Sequence, residues 1–143
     1  MNDVSMAESS LVAFQKSDIL FGAMRPYFHK VVVARTDGLT RSTCFVINAK
    51  KELMREYLTM LLFDKDTIDY ATQISVGTTM PYVRWNDFEN MPIIIPSTDA
   101  CEEFKKIVEP MIYKANKLAD AVMALVDARD RLLPKLMAEE ISL

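Results

Sequence analysis

Two cations bracket a group of rings in Met24-Arg25-Pro26-Tyr27-Phe28-His29-Lys30. Arginine and lysine hold phosphate oxygens, and arginine also reads guanine through a bidentate pair of hydrogen bonds. Pro26 fixes the backbone between them. The same composition also fits a strand–turn–strand corner whose aromatics are core. A second candidate is the loop Ser75-Val76-Gly77-Thr78-Thr79-Met80. Its hydroxyls and free backbone donors suit a phosphate or a base edge, and it equally fits a plain surface loop. Arg84-Trp85 sets a cation beside a ring that is either a stacking platform or core.

Catalysis has no foothold in this composition. His29 is the only histidine and sits among aromatics and cations, a poor context for a Ser/His/Asp set, and a multi-histidine zinc site cannot be assembled. Cys44 and Cys101 lie far apart in no metal-binding spacing. Three glycines in the whole chain cannot supply a phosphate-cradling glycine-rich loop. Carboxylates are scattered or lie on helix faces. No catalytic residue, metal or cofactor is expected.

The elements that would position these residues are legible as runs. Ile19-Leu20-Phe21, Val31 to Ala34 and Cys44 to Ile47 are short β-rich stretches punctuated by Gly22, Pro26 and the turn signal Asp37-Gly38. From Lys51 to Phe63 the period changes: Leu53, Met54, Tyr57, Leu58, Leu61 and Leu62 recur at helical spacing, predicting an amphipathic helix packed on the strands. Asp66 to Ala71 suggests a shorter helix, and Trp85 to Phe88 a turn or short helix. Met91-Pro92-Ile93-Ile94-Ile95-Pro96 reads as an extended edge strand bracketed by prolines. Asp99 is a candidate helix N-cap with Glu102 as its capping-box partner. Pro110 should kink the following helix or start a new one, giving a short helix from about Cys101 and a long one from about Pro110. Pro134 ends or bends it again.

That long helix carries a stripe. Phe104, Val108, Met111, Ala115, Leu118, Val122, Leu125, Arg129, Leu132 and Leu136 are separated by gaps alternating four and three. This is the a/d repeat of a coiled-coil seam, broken only by Arg129. Arg129 can neutralise a partner's carboxylate or snorkel out at the seam's end. The alternative is a helix packed on its own domain. From Met111 to Leu133 the helix would run roughly 35 Å, longer than a compact domain of this size needs. The expected class is therefore α+β: a small mixed β-sheet domain with packed helices, then a long C-terminal coiled-coil helix. The expected division is 1–98 and 99–143, with Glu140 to Leu143 poorly ordered and dispensable.

Net charge is −3, which does not mark a nucleic-acid binder. Yet Lys16 to Arg55 holds eight basic and three acidic residues, a local +5 against −8 elsewhere. Such asymmetry allows a basic face on an acidic protein, although charge alone favours ordinary solvated surface. No apolar run approaches the roughly eighteen residues of a membrane span. The polar, acidic opening residues carry no signal peptide pattern, and two unpaired cysteines suit a cytoplasmic protein.

Four segments in series then resemble one family. Asp18-Ile19-Leu20-Phe21-Gly22-Ala23-Met24-Arg25-Pro26-Tyr27 resembles a signature of type I restriction–modification specificity (S) subunits. Asp37-Gly38 followed by Ser42-Thr43 resembles that family's next strand pair. Gly77-Thr78-Thr79-Met80-Pro81 and Met91 to Pro96 resemble the loop and Pro-bounded strand closing its target-recognition domain. Arg129 to Met137 resembles the end of its conserved spacer helix. Ser17 stands where glycine is usual, and Ala138-Glu139 where Ser-Gly is usual.

The resemblance implies a recognition subunit, not itself an enzyme, acting on double-stranded DNA. Its helix would pair, here as a homodimer, and dock methyltransferase (M) and restriction (R) subunits that hold the chemistry. One recognition domain is expected, without the family's usual opening strands. On this reading Arg25, Tyr27, His29, Lys30, Thr78, Thr79 and Arg84 face DNA on one surface. Arg25 and Lys30 would be mainly phosphate contacts, and Thr78 and Thr79 hydroxyl donors. Val108, Met111, Ala115, Leu118, Val122, Leu125, Arg129 and Leu132 face the partner helix. The alternative is a helix-mediated interaction module that no longer binds DNA.

Overall fold

The computed structural model describes residues 10–138. The tail Glu140 to Leu143, expected to be dispensable, lies outside them. The chain divides into two compact units, Met1–Lys105 and Lys106–Leu143.

The first unit is built on β2 (Ile19–Gly22), the central strand of an antiparallel sheet whose other members are β3 (Val31–Val33) and β5 (Cys44–Ile47). Strand alternation turns Ile19 and Phe21 inward, at 0% and 1% exposure. Phe21 pairs with Val31 on one side and Phe45 on the other. Its ring lies 4.7 Å from that of Phe88 and 6.3 Å from that of Phe45. Ala23, Leu62, Ile68, Ala71 and Val83 complete the core.

A second ladder joins β1 (Leu11–Phe14) to β4 (Gly38–Arg41), with Leu11 opposite Arg41 and Phe14 opposite Gly38. The α+β class holds. The sheet expected to be mixed is instead two antiparallel sheets. The short connection from β2 to β3 favours antiparallel return, whereas parallel neighbours need long crossovers.

The helical period from Lys51 becomes a 3-10 turn, Glu52–Met54, leading into α1 (Arg55–Phe63). Of the apolar face expected on α1, Leu62 is buried and Leu58 packs on the core, but the polar Glu56 and Thr59 are buried beside them. The Thr59 hydroxyl donates to the Arg55 carbonyl at 2.8 Å. Glu56 Oε1 accepts from Arg55 Nε at 3.1 Å and Nη2 at 2.8 Å. A carboxylate can be buried here because a guanidinium is held against it. Helix α2 (Lys65–Gln73) follows, buried through Thr67, Ile68 and Ala71, and α3 (Trp85–Phe88) is a single turn.

Two expectations fail in the segment that follows. Residues 91–97 form no strand. Pro92 and Pro96 lack donors, and the Ile94 carbonyl accepts from the Tyr57 hydroxyl instead of a ladder. The helix cap is Ser97 rather than Asp99: Ser97 Oγ accepts from the Ala100 N–H at 3.3 Å, and its carbonyl from the Cys101 N–H at 3.0 Å. Asp99 instead lies in the first turn, where a carboxylate favours the helix dipole.

Helix α4 (Thr98–Met137) is continuous over 40 residues and contains both Pro110 and Pro134. The break expected at Pro110 does not occur. Proline removes one donor, but Lys106, whose carbonyl loses that bond, is exposed and can be hydrated. Helix on both sides carries the turn through.

The second unit is the part of α4 from Lys106 onward, described through Ala138. On its stripe Val108 is buried and Ala115 exposed. Met111, Leu118, Val122, Leu125 and Leu132 are 49–69% exposed. Arg129 pairs with its neighbour Asp130, Nη2 to Oδ1 at 2.7 Å, which occupies the cation expected to face a partner.

Candidate nucleic-acid interface

The basic segment is the connection from β2 to β3. Past β2, Ala23 donates to the Thr43 carbonyl at 2.9 Å, and Arg25 then adopts a left-handed conformation with φ 51°. Pro26 opens a 3-10 turn, Pro26–Phe28, where its fixed φ suits the first helical position and its missing donor costs nothing. Pro26 is fully buried and anchors the turn. His29, also at φ 51°, ends it with its N–H on the Pro26 carbonyl at 2.8 Å. Gly22 N–H closes the corner onto the Lys30 carbonyl at 2.8 Å. A Cβ at Gly22 would lie 2.9 Å from the Lys30 Cβ, so this approach needs glycine.

The corner therefore presents its rings to solvent. Tyr27 is 48% and Phe28 59% exposed, with ring centroids 4.8 Å apart. The alternative of core aromatics does not describe them. Lys30 Nζ donates to the Met24 carbonyl at 2.6 Å and lies 5.9 Å from the Phe28 ring centroid. Ammonium carries three donors, so two remain for another acceptor. His29 is exposed, its ring 6.4 Å from that of Phe63 on α1.

The polar loop is a closed hairpin. Val76 and Tyr82 exchange backbone hydrogen bonds at 2.9 and 3.0 Å. Gly77 has φ 99°, a conformation that side chains resist. Thr78, Thr79 and Met80 are exposed at the tip.

Backbone atoms tie the loop to the corner. Tyr82 bridges Met24, the Arg25 N–H reaches the Pro81 carbonyl at 2.7 Å, and the Val83 N–H reaches the Ala23 carbonyl at 2.9 Å. Arg25 Nη2 adds a longer contact of 3.5 Å to the Thr79 carbonyl. Arg25, Lys30 and the Thr78–Thr79 tip are thus brought to one edge, with Tyr27 and His29 on the same turn as Arg25. Arg84 follows Val83 directly, but its Nε is paired with Asp87 Oδ2 at 2.9 Å. Trp85 is 42% exposed and packs edge-on against Phe45 at 5.2 Å.

Sequence reasoning missed Tyr82, which ties to both segments. Its only trace in the sequence is position: with Val76 it brackets the Gly77–Pro81 turn residues.

Residues 1–120 match the family model for the type I restriction modification DNA specificity domain. The chain belongs to this family. Among its relatives is the type I restriction enzyme MjaIX specificity subunit of Methanocaldococcus jannaschii, 40% identical over 65 residues. That match covers 46% of this chain and 15% of the relative. The type I restriction enzyme EcoDI specificity subunit of Escherichia coli is 24% identical over 109 residues, 76% of this chain and 24% of the relative. The chain thus matches less than a quarter of the length of either specificity subunit. The matched specificity domain contains both the corner and the loop.

Proposed function

We propose that this chain is a sequence-specific DNA-recognition component of a type I restriction–modification system. The match of residues 1–120 to the specificity-domain family carries this reading. Arg25, Tyr27, His29, Lys30, Thr78, Thr79 and Arg84 form its DNA-facing surface. The backbone tie between corner and loop supports the reading, because it puts cations and hydroxyls on one edge. Methylation and cleavage belong to methyltransferase and restriction partners, and this chain contributes recognition.

The helix from about Pro110 to Leu133 pairs antiparallel with its counterpart in a second copy. Exposed Met111, Leu118, Val122, Leu125 and Leu132 support pairing, since this much apolar area in a row is costly to leave in water. A two-fold interface would bury the same stripe on both copies, together with Val108, Ala115 and Arg129. The paired helices then dock the methyltransferase subunits.

One observation favours a second reading, an interaction module without DNA binding: Arg25, Lys30 and Arg84 all have partners within the chain. Duplex binding across a salt series decides between the two. Affinity that falls linearly with salt on logarithmic axes supports DNA recognition. Absence of duplex binding, with and without an M subunit, supports the module.

A further inference from the structure

We propose that Arg25 is a positioning residue, which sets the Thr78–Thr79 tip for base discrimination and does not itself grip a phosphate. The inference rests on the DNA-recognition reading and refines the role of one residue in it. Four observations at Arg25 lead there.

Its backbone N–H makes the shortest tie between corner and loop, 2.7 Å to the Pro81 carbonyl. Its side chain turns the same way, Nη2 reaching the Thr79 carbonyl at 3.5 Å. Its Nε is buried and has no hydrogen-bond partner among the described residues. Its backbone is left-handed at φ 51°, ψ 65°, a region that a side chain occupies only when its surroundings demand it.

A guanidinium grips phosphate bidentately along one of two edges, Nε with an Nη or Nη1 with Nη2. Burial removes the first edge. On the second edge one Nη2 N–H is directed at the Thr79 carbonyl, at 3.5 Å, which leaves fewer donors there for a phosphate. A residue built to hold a phosphate would offer its fork to solvent, as a lysine offers its ammonium. Lys30 does so: it is exposed and keeps two donors after binding the Met24 carbonyl. The two cations of the corner therefore divide the work. Lys30 supplies charge at the surface, and Arg25 fixes where the threonine hydroxyls stand.

The test uses the full chain reconstituted with an M subunit and a random-sequence duplex pool. Sequencing of bound duplexes identifies the preferred one. Affinity for the preferred duplex and for the unselected pool is then measured over a salt series. The variants are Arg25→Gly, which keeps the left-handed backbone and its N–H, and Arg25→Lys, which keeps charge but not the planar fork. Both should lower the preferred-to-pool affinity ratio about tenfold, the scale of one lost base-pair discrimination. The salt slope should stay near the parental value in both, whereas Lys30→Ala lowers it by about one.

A slope lowered by about one in Arg25→Gly and restored in Arg25→Lys, with preference intact, would make Arg25 a phosphate contact. That result overturns the inference and leaves DNA recognition standing. Variants indistinguishable from the parent in both readouts overturn it as well. If Arg25→Gly does not fold, as read by its thermal melt, Arg25→Lys decides alone through the preference ratio. A parent complex that prefers no duplex would remove the recognition reading and this inference together.

Discussion

Tyr82 is hydrogen-bonded to Val76 in both directions, N–H to carbonyl at 3.0 Å and carbonyl to N–H at 2.9 Å. It also bridges Met24 on the neighbouring corner. One residue thus belongs to the hairpin that carries Thr78 and Thr79 and to the ladder that carries Arg25. Loop and corner move as a unit unless that pairing opens.

Gly77 should be the residue of this loop least open to change. At φ 99° alanine is strained even though a Cβ would find ordinary contact distance to the Met80 carbonyl oxygen. Gly77→Ala should cost about 1–2 kcal/mol in urea unfolding. An unchanged midpoint would show that the loop adopts another conformation in solution.

Lys30→Ala should weaken binding to every duplex alike and reduce the salt slope by about one, because a phosphate contact carries no sequence information. The reconstituted complex with an M subunit is the preparation to use. Methylation equal to the parent's across the salt range would make Lys30 structural and favour the interaction module.

Leu118→Asp together with Leu125→Asp should convert a dimer into monomers in sedimentation equilibrium. Both side chains are more than half exposed on the isolated helix, at 59% and 69%, so the monomer tolerates the change. A buried seam does not accept unpaired carboxylates. A parent chain that is monomeric at high micromolar concentration would refute self-pairing.

Phe21→Ala should cost about 3–5 kcal/mol and leave the first unit largely unfolded, since Phe21 is 1% exposed at the centre of the sheet. Near-ultraviolet circular dichroism reads the loss of aromatic packing directly.

Pro110→Ala should strengthen α4, because proline inside a helix costs about 3 kcal/mol relative to alanine. Hydrogen exchange should slow around the new amide and its Lys106 acceptor. No change there would mean that the helix is already opened at this turn.

Local pattern carried much of this fold. The Ile19, Val31 and Cys44 runs became β2, β3 and β5 because each is a compact apolar stretch with a turn signal nearby. The runs did not single out Leu11–Phe14 and Gly38–Arg41, since their strand character comes from pairing with each other far along the chain, Leu11 with Arg41 and Phe14 with Gly38, and Gly38 read as turn. Ile93 to Ile95 misled in the opposite sense: flanked by prolines and with the Ile94 carbonyl taken by the Tyr57 hydroxyl, these β-branched residues make no strand. At Pro110 a local rule was outweighed by the helix on both sides of it.

For the site, residue types identified the cations and threonines but could not give their directions. That Arg25 points its Nη2 at Thr79, and that Lys30 folds back on Met24, follows from two left-handed residues no local rule would assign to arginine and histidine. Glu56 shows the same limit: a helical wheel puts a glutamate outside, whereas here it is buried, with the Arg55 guanidinium on Oε1 and no hydrogen-bond partner for Oε2 among the described residues.

The hairpin and its anchorage are made almost wholly of main-chain atoms. Point mutation cannot erase such bonds, apart from substitution by proline. Residues 78–80 can therefore drift freely while the frame beneath them stays put, and the segment between Val76 and Tyr82 becomes a natural place to graft a foreign tip of equal length.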